Sequence, residues 1–416
     1  MRPNETEVYP VIIIGGGPCG LAVSYYLKEK GIKHIIIEKN EMLQTWKNER
    51  WDSFHLISPN WMTNIPGIKS RIPYNNEYMS GKEIYKYLKE FMDMVDPDYL
   101  ENTSINKLYK AESLYKLETD QGIFHAQKVI VAIGLFNQPF IPPVAEEFGK
   151  DIYQVHSSQY KNPNQLKPGG TLIVGGGCSG VQIALEVKQH TENAVYLSLG
   201  SMRPIPVIYR NVNGMYWLNR LSGFSSGKPI LPYRDKDLCN KNIQNVISQN
   251  LFSCLASGVK LTGRFTKGQG TELMFSNSLC NALERSNTYM RSIEKRIDKE
   301  IKRMALNLPS LQVDFNLKTI NCDNINLIQK LDMIEHDIQN IIWCTGYKPD
   351  YSWIMLDIFN ALGEPELIDG YATKEDVFFC GLRLLSESKE KSTFGVGLYA
   401  FAESAKRAVE ALTAKR

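Results

Sequence analysis

Val11-Ile-Ile-Ile-Gly15-Gly-Gly17-Pro18-Cys19-Gly20-Leu-Ala opens on a short β-branched run, turns at Gly-x-Gly-x-x-Gly and leads into Leu21 to Lys30, a helix closed by Gly31. Ile32 to Ile37 then reads as a second buried strand, ending at Glu38. Strand, glycine turn, helix, strand and acid make the βαβ unit that holds a dinucleotide. Gly15 permits the tight turn, Gly17 lets backbone approach a pyrophosphate, and Gly20 lets the helix lie close to the sheet. The helix start offers unpaired N–H groups and a positive dipole end to phosphate. Glu38, 18 residues after Gly20, is placed to accept hydrogen bonds from ribose hydroxyls. Gly15, Gly17, Pro18, Cys19, Gly20, Glu38 and Lys39 are the candidate residues of this first nucleotide site.

The pattern returns 160 residues later in Thr171-Leu-Ile-Val-Gly175-Gly-Gly177-Cys178-Ser179-Gly180, with Val181 to His190 as its helix and Ala194 to Leu199 as the next strand. That spacing is too long for one βαβ pair and suits two dinucleotide domains. The copies differ after the second strand. The first ends in a carboxylate, which would repel a 2′-phosphate; the second runs Ser198-Leu-Gly-Ser201-Met-Arg203 without an acid. A hydroxyl and a guanidinium there bind a 2′-phosphate. The first site therefore suits FAD or NAD(H) and the second NADP(H), held by Gly175, Gly177, Cys178, Ser179, Gly180, Ser201 and Arg203. A solvated surface arginine is the lesser alternative for Arg203.

Between the loops, Lys128-Val-Ile-Val-Ala132-Ile-Gly134 reads as a buried strand with a glycine end, and Gln138 to Pro143 as an exit linker. Asn340-Ile-Ile-Trp-Cys-Thr345-Gly346-Tyr-Lys-Pro349 has the same shape. These two segments read as the crossings between domains, which makes the second nucleotide domain an insertion in the first. The expected fold is α/β, with two Rossmann-like domains: residues 1–150 and 331–416 for the first cofactor and 151–330 for NADPH. Val377 to Leu382 reads as a last strand whose Gly381 approaches the cofactor, and Gly395 to Lys415 as a terminal helix. Met290, Ile293, Ile297, Ile301 and Met304 fall on one face of an amphipathic helix over 281–306, with its charges as a solvated face; a partner-binding role is the lesser alternative.

Over 416 residues, 48 Lys and Arg balance 45 Asp and Glu, too even for a chain whose task is gripping nucleic acid. The apolar runs are far shorter than the roughly 18 residues of a membrane helix, and Met1 to Pro10 is polar. A soluble cytoplasmic protein without nucleic-acid or membrane partners is expected, with homodimer formation left open. Eight cysteines include no Cys-x-x-Cys, and six histidines no His-x-x-x-His, which removes the common dithiol and zinc patterns. The cysteines read mostly as small buried apolar groups in a reducing compartment, and no metal is expected.

With both loops placed, the chain resembles the flavin-containing monooxygenases (group B type) and their bacterial single-component relatives. The likeness covers nearly the whole chain. It is carried also by Trp46-Lys-Asn-Glu-Arg50-Trp-Asp52-Ser-Phe-His-Leu, Ser58-Pro-Asn60-Trp-Met-Thr-Asn-Ile-Pro66-Gly67, Gly258 to Arg264, and Trp343 to Trp353. The resemblance implies FAD in the first site and NADPH in the second. It implies that Trp46, Arg50 and Asp52 touch FAD, joined by Ala132, Gly134, Thr345, Gly346 and Gly381, and that Asn60 is the catalytic amide, donating a hydrogen bond near the reactive edge of the flavin. The alternatives are core aromatics for Trp46 and Trp61 and, less favoured, a turn cap for Asn60. The implied reaction is reduction of FAD by NADPH, then transfer of one oxygen atom from O₂ through a C4a-(hydro)peroxyflavin to an amine nitrogen or sulfur of a small molecule. The rivals are an FAD-dependent NADPH reductase or oxidase and a non-catalytic nucleotide-binding module. Two departures stand out. Lys150 and Ile152 occupy the Phe and Gly positions of the Phe-x-Gly-x-x-x-His motif that ends at His156, and the first crossing reads Ala-Ile-Gly for the usual Ala-Thr-Gly. Residues 205–235 read as a pocket-shaping loop or as plain surface.

Overall fold

Every residue from Val11 to Ile14 is apolar, a pattern suited to a strand covered on both faces. In the computed structural model, which describes residues 7–200, 208–210, 212–222, 251–308, 320, 322–368, 370–382 and 400–414, this run is strand β1 (Val8–Ile14). Helix α1 (Pro18–Glu29) and strand β2 (His34–Ile37) follow, β2 parallel to β1 with Ile14 opposite Ile37. Helix α2 (Gln44–Asn48) precedes α3 (Gly81–Val95), which starts on a capping box between Ser80 and Glu83. Strands β3 (Tyr99–Leu100), β4 (Ile105–Ala111), β5 (Leu114–Thr119) and β6 (Gly122–Val131) complete the order β3-β2-β1-β6-β5-β4. The two faces of β1 belong to different cores. Val11 and Ile13 pack with Leu21 of α1 and Phe91 of α3, whereas Ile12 and Ile14 pack with Leu117 and Phe124 under the antiparallel meander.

The chain leaves this unit through β7 (Gln138–Pro139) and builds a second one. Its elements are β8 (Tyr153–His156), β9 (Gly170–Val174), α4 (Cys178–His190), β10 (Val195–Ser198), β11 (Ile208–Tyr209), β12 (Val212–Asn213), α5 (Gly214–Ser222), α6 (Leu251–Ala256), β13 (Lys260–Thr262), β14 (Phe265–Gln269), β15 (Glu272–Phe275), α7 (Leu279–Arg303), β16 (Lys330–Asp332) and β17 (Ile338–Trp343). Five of these strands form a parallel sheet in the order β13-β10-β9-β17-β8, again with split faces: Ile173 and Ile342 toward α4, Leu172 and Trp343 toward the antiparallel β14-β15-β16 ribbon. The chain returns through β18 (Tyr347–Lys348), which pairs antiparallel with β7, so the two crossings hydrogen-bond to each other. Strand β19 (Val377–Phe379) then joins β6 in parallel, and α8 (Phe401–Thr413) packs its Phe401, Ala405 and Val409 face into the α1 core.

Three expectations are adjusted. The inserted unit does not stop at 330, because β17 is a central strand of the second sheet and the return follows Trp343. The amphipathic helix is α7 over Leu279–Arg303; Ile293, Ile297 and Ile301 are buried, but Met304 is its C-cap. The cysteines are not all inert thiols. Cys280 at the start of α7 and Cys322 form a disulfide, Cys178 is exposed, and Cys19, Cys254 and Cys380 are buried. Among the described residues no helix is long and apolar enough to cross a membrane, and no group of His, Cys, Asp and Glu is placed to hold a metal.

Candidate functional site

The two glycine loops are built on the same plan at their first and last glycines. At the first, Gly15 takes φ +110° and its N–H donates to the Ile37 carbonyl at 2.9 Å. A side chain at Gly15 would stand 2.8 Å from the Ala132 carbonyl oxygen, and one at Gly20 only 1.9 Å from the Gly15 carbonyl oxygen. At the second, Gly175 takes φ +121° and donates to the Ser198 carbonyl at 3.0 Å. There a Cβ would meet the Cys344 carbonyl oxygen at 2.2 Å, and one at Gly180 would meet the Gly175 carbonyl oxygen at 1.8 Å. Ala132 and Cys344 are themselves equivalent, each donating its N–H at 2.8 Å to the last residue of the central strand, Ile14 and Val174. Two residues later Gly134 and Gly346 both adopt positive φ.

The middle glycines behave differently. A Cβ at Gly17 or Gly177 would meet nothing within 4 Å. Both are helix N-caps without a side-chain cap, so the first N–H groups of α1 and α4 face an open cradle without a protein acceptor from the cap. This is the geometry that accepts a pyrophosphate.

The cradles part company at the residue after the second strand. Glu38 accepts the Gly16 N–H at 2.6 Å and the Asn40 N–H at 2.9 Å, which orients its carboxylate beside the first loop. The equivalent position is Leu199, whose side chain stands over Gly176. Lys39 is exposed. Ser201 and Arg203, expected at the 2′-phosphate, lie outside the described residues, as does most of the 205–235 segment.

Gly381 joins the first cradle. Its φ is +81°, a Cβ would stand 2.6 Å from the Cys19 sulfur, and its N–H donates to the Ser404 hydroxyl at 3.1 Å. The hydrogen-bonding Cys380 thiol, followed by burial, pushes the Cys19 thiol well up. Burial alone pushes the Cys344 thiol up to about 12. Both stay neutral thiols, as befits wall residues.

Trp46, Arg50 and Asp52 are divided between the units. The Arg50 guanidinium lies 4.8 Å from the Trp46 ring centroid, 5.5 Å from Phe54 and 6.0 Å from Phe136. It also hydrogen-bonds with Tyr347 on the return crossing, and burial lowers its pKa. Asp52 is exposed and accepts the Asn162 side-chain N–H at 2.7 Å, so it ties the first unit to the second. Trp51 joins the second unit's core and meets Phe54 edge-on, with ring centroids 5.0 Å apart. Thr345 donates its hydroxyl to the Phe140 carbonyl, bracing one crossing against the other. His156 completes this junction. Its Nε2–H donates to the Gly346 carbonyl at 3.0 Å, and its Nδ1 accepts the Ser158 N–H at 3.1 Å; burial lowers the ring's pKa, opposed only in part by the Gly346 bond.

Asn60 opens a 3₁₀ turn (Asn60–Met62) and is 4% exposed. Its amide nitrogen donates to the Asn75 side-chain oxygen at 2.9 Å. That oxygen also accepts the Glu77 N–H, and the Asn75 amide nitrogen donates to the Glu77 carboxylate, which fixes both orientations. The unpartnered atom of Asn60 is therefore its oxygen, an acceptor, and not the donor expected from the sequence. Trp61 is a core aromatic. Its indole N–H donates to Asn76 at 3.0 Å, and it packs with Met62, Tyr209, Trp217, Ile293 and Ile297 beneath α5 and α7. The supporting run Asn75-Asn76-Glu77 carries no periodic or motif signal that would reveal it in the sequence, and nothing in the Trp343 to Trp353 stretch marks Tyr347 as the partner of Arg50.

Residues 12–203 match the pyridine nucleotide-disulphide oxidoreductase family. Among curated proteins, an uncharacterized CzcO-like oxidoreductase of Geobacillus kaustophilus is 29% identical over 90% of this chain and 91% of its own. The flavin-containing monooxygenase of Stenotrophomonas maltophilia shares the fold at a TM-score of 0.65, with 19% identity over 98% of this chain and 99% of its own. So does the bacillithiol disulfide reductase Bdr of Bacillus cereus, at 0.61 and 16% identity over 98% and 99%. The chain is thus similar over residues 12–203 to the pyridine nucleotide-disulphide oxidoreductases, and over nearly its whole length it shares the fold of a flavin-containing monooxygenase and of a bacillithiol disulfide reductase.

Proposed function

We propose that the protein is an FAD- and NADPH-dependent monooxygenase acting on a soft nucleophile, an amine nitrogen or a sulfur, of a small molecule. The observation that carries this reading is the duplicated cradle with a carboxylate in one copy and a leucine in the other. FAD would lie on Gly15 to Gly20, with Glu38 on its ribose and Gly134 and Gly381 in the wall. NADPH would lie on Gly175 to Gly180, with Ser201 and Arg203 on its 2′-phosphate. When bound, FAD supplies the redox chemistry, accepting hydride from NADPH and reacting with O₂.

The protein's own contribution is positioning and exclusion of water. The paired crossings, with Arg50 stacked beside them and bonded to Tyr347, set the two cradles in a fixed relation. The apolar cluster of Trp61, Met62, Tyr209 and Trp217 covers the Asn60 turn, which keeps solvent from a site where oxygen chemistry must be protected. Asn60 offers an amide, which hydrogen-bonds without acting as an acid. No nucleophile–base pair is needed for such a reaction.

The test follows NADPH oxidation and hydrogen peroxide release together over a panel of amines, sulfides and ketones. A compound that speeds the first, suppresses the second and appears with one added oxygen supports the reading and names the substrate class. NADPH oxidation that yields peroxide alone, or reduces a disulfide, with every compound assigns the protein to the oxidases or reductases instead.

A further inference from the structure

Two buried polar atoms without a partner lie three residues apart on the Asn60 turn. The Thr63 N–H donates to the Asn60 carbonyl at 3.0 Å, closing the 3₁₀ turn, and residues i and i+3 of such a turn are eclipsed. Asn60 is 4% exposed and Thr63 2%, yet Asn60 Oδ1 and Thr63 Oγ1 have no hydrogen-bond partner. They are two of only five such side-chain atoms among the described residues. An orphaned buried polar group destabilises the fold, so two on one turn are a standing expense unless something bound satisfies them. The turn lies where the two units meet. Ile65 and Ile68 beyond it pack with the α1 and α3 core of the first unit, while Trp61 and Met62 within it pack under α5 and α7 of the second.

We infer that Asn60 and Thr63 form a two-point clamp for an amide-type edge, a carbonyl beside an N–H, with Asn60 Oδ1 accepting from the N–H and the Thr63 hydroxyl donating to the carbonyl. This rests on the dinucleotide reading above, since two groups brought to this junction carry such an edge: the pyrimidine ring of the flavin and the carboxamide of nicotinamide. Thr63 thereby becomes a second ligand-touching residue of the site, three positions from the amide that the sequence singles out.

The experiment compares wild type, Thr63→Val and Thr63→Ser in three measurements: thermal unfolding of the apoprotein, titration of apoprotein with FAD by quenching of flavin fluorescence, and calorimetric titration of FAD-loaded protein with NADP⁺. Val replaces the hydroxyl with a methyl of the same shape. The clamp predicts that Thr63→Val raises the apoprotein's unfolding temperature while weakening one nucleotide about three- to tenfold, with Ser restoring wild-type affinity. Loss in the FAD arm assigns the edge to flavin; loss in the NADP⁺ arm assigns it to the carboxamide. Affinities unchanged within twofold in both arms overturn the clamp, as does a Val variant that loses apoprotein stability and both ligands together. Wild-type protein that binds neither nucleotide refutes the underlying reading instead, and does so before any variant is made.

Discussion

The middle glycine of each cradle separates folding from ligand binding more cleanly than any other position. Gly177 has φ −75° and ψ −177°, ordinary extended backbone that alanine adopts freely. A Cβ there meets nothing within 4 Å. Gly177→Ala should therefore leave the apoprotein as stable as wild type, or more stable by about 0.4–1 kcal/mol through the less flexible unfolded chain. A pyrophosphate lying on the α4 N-terminus would find a methyl group in its path and lose one charge-assisted hydrogen bond, worth about 1.5–3 kcal/mol. That is a loss of roughly 10- to 150-fold in NADP⁺ affinity. Gly180→Ala, three residues on, is the control of opposite sign. Its Cβ would stand 1.8 Å from the Gly175 carbonyl oxygen, so α4 must move away from β9 and the apoprotein should lose about 3 kcal/mol or more. The assays are thermal unfolding of the apoproteins and calorimetric titration of FAD-loaded protein with NADP⁺. Refutation comes from a Gly177→Ala protein that binds NADP⁺ within twofold of wild type, or that binds FAD as poorly as NADP⁺.

Arg203→Ala should raise the KM for NADPH about tenfold or more and leave NADH nearly unchanged; equal effects on both dissociate Arg203 from the 2′-phosphate. Replacing Cys280 or Cys322 by Ser should lower unfolding stability by about 2–4 kcal/mol, because the cross-link spans 42 residues; urea unfolding with and without a thiol reductant measures it. His34 and His156 are both held below the ordinary histidine pKa, chiefly by burial. As pH falls below about 6.5 the unfolded chain binds protons that the folded one refuses, so stability drops by about 1.4 kcal/mol per histidine for each pH unit until the folded pKa is reached. Urea midpoints at pH 7.5 and 5.5 should show that fall, and His156→Gln should remove part of it; a rise in stability on acidification contradicts it. Asn60→Asp should increase peroxide release per NADPH; unchanged coupling moves that role to another residue.

The parts of the molecule legible in the sequence are those governed by local rules. Both glycine loops, their strands and their helices follow from backbone sterics and apolar runs, and the structure places each within a few residues of expectation. The 3.6-residue spacing of Ile293, Ile297 and Ile301 likewise exposes one buried face of α7. What the sequence hides is pairing between distant segments. Nothing in Gln138-Pro139 or Tyr347-Lys348 announces that they form a two-strand ladder, since each is too short to carry a period. The Cys280–Cys322 bond is hidden for the same reason, because spacing alone does not fix which cysteines meet. The direction of the Asn60 amide is hidden more deeply still, since it is decided by Glu77 through Asn75, a chain of hydrogen bonds that no motif contains.

Native mass spectrometry of the FAD-loaded protein mixed with NADP⁺ measures how many nucleotides one chain carries at once. Two cradles of unlike chemistry predict a single species holding one FAD and one NADP⁺. A chain that surrenders its FAD to take NADP⁺, or that never carries more than one nucleotide, contradicts the account.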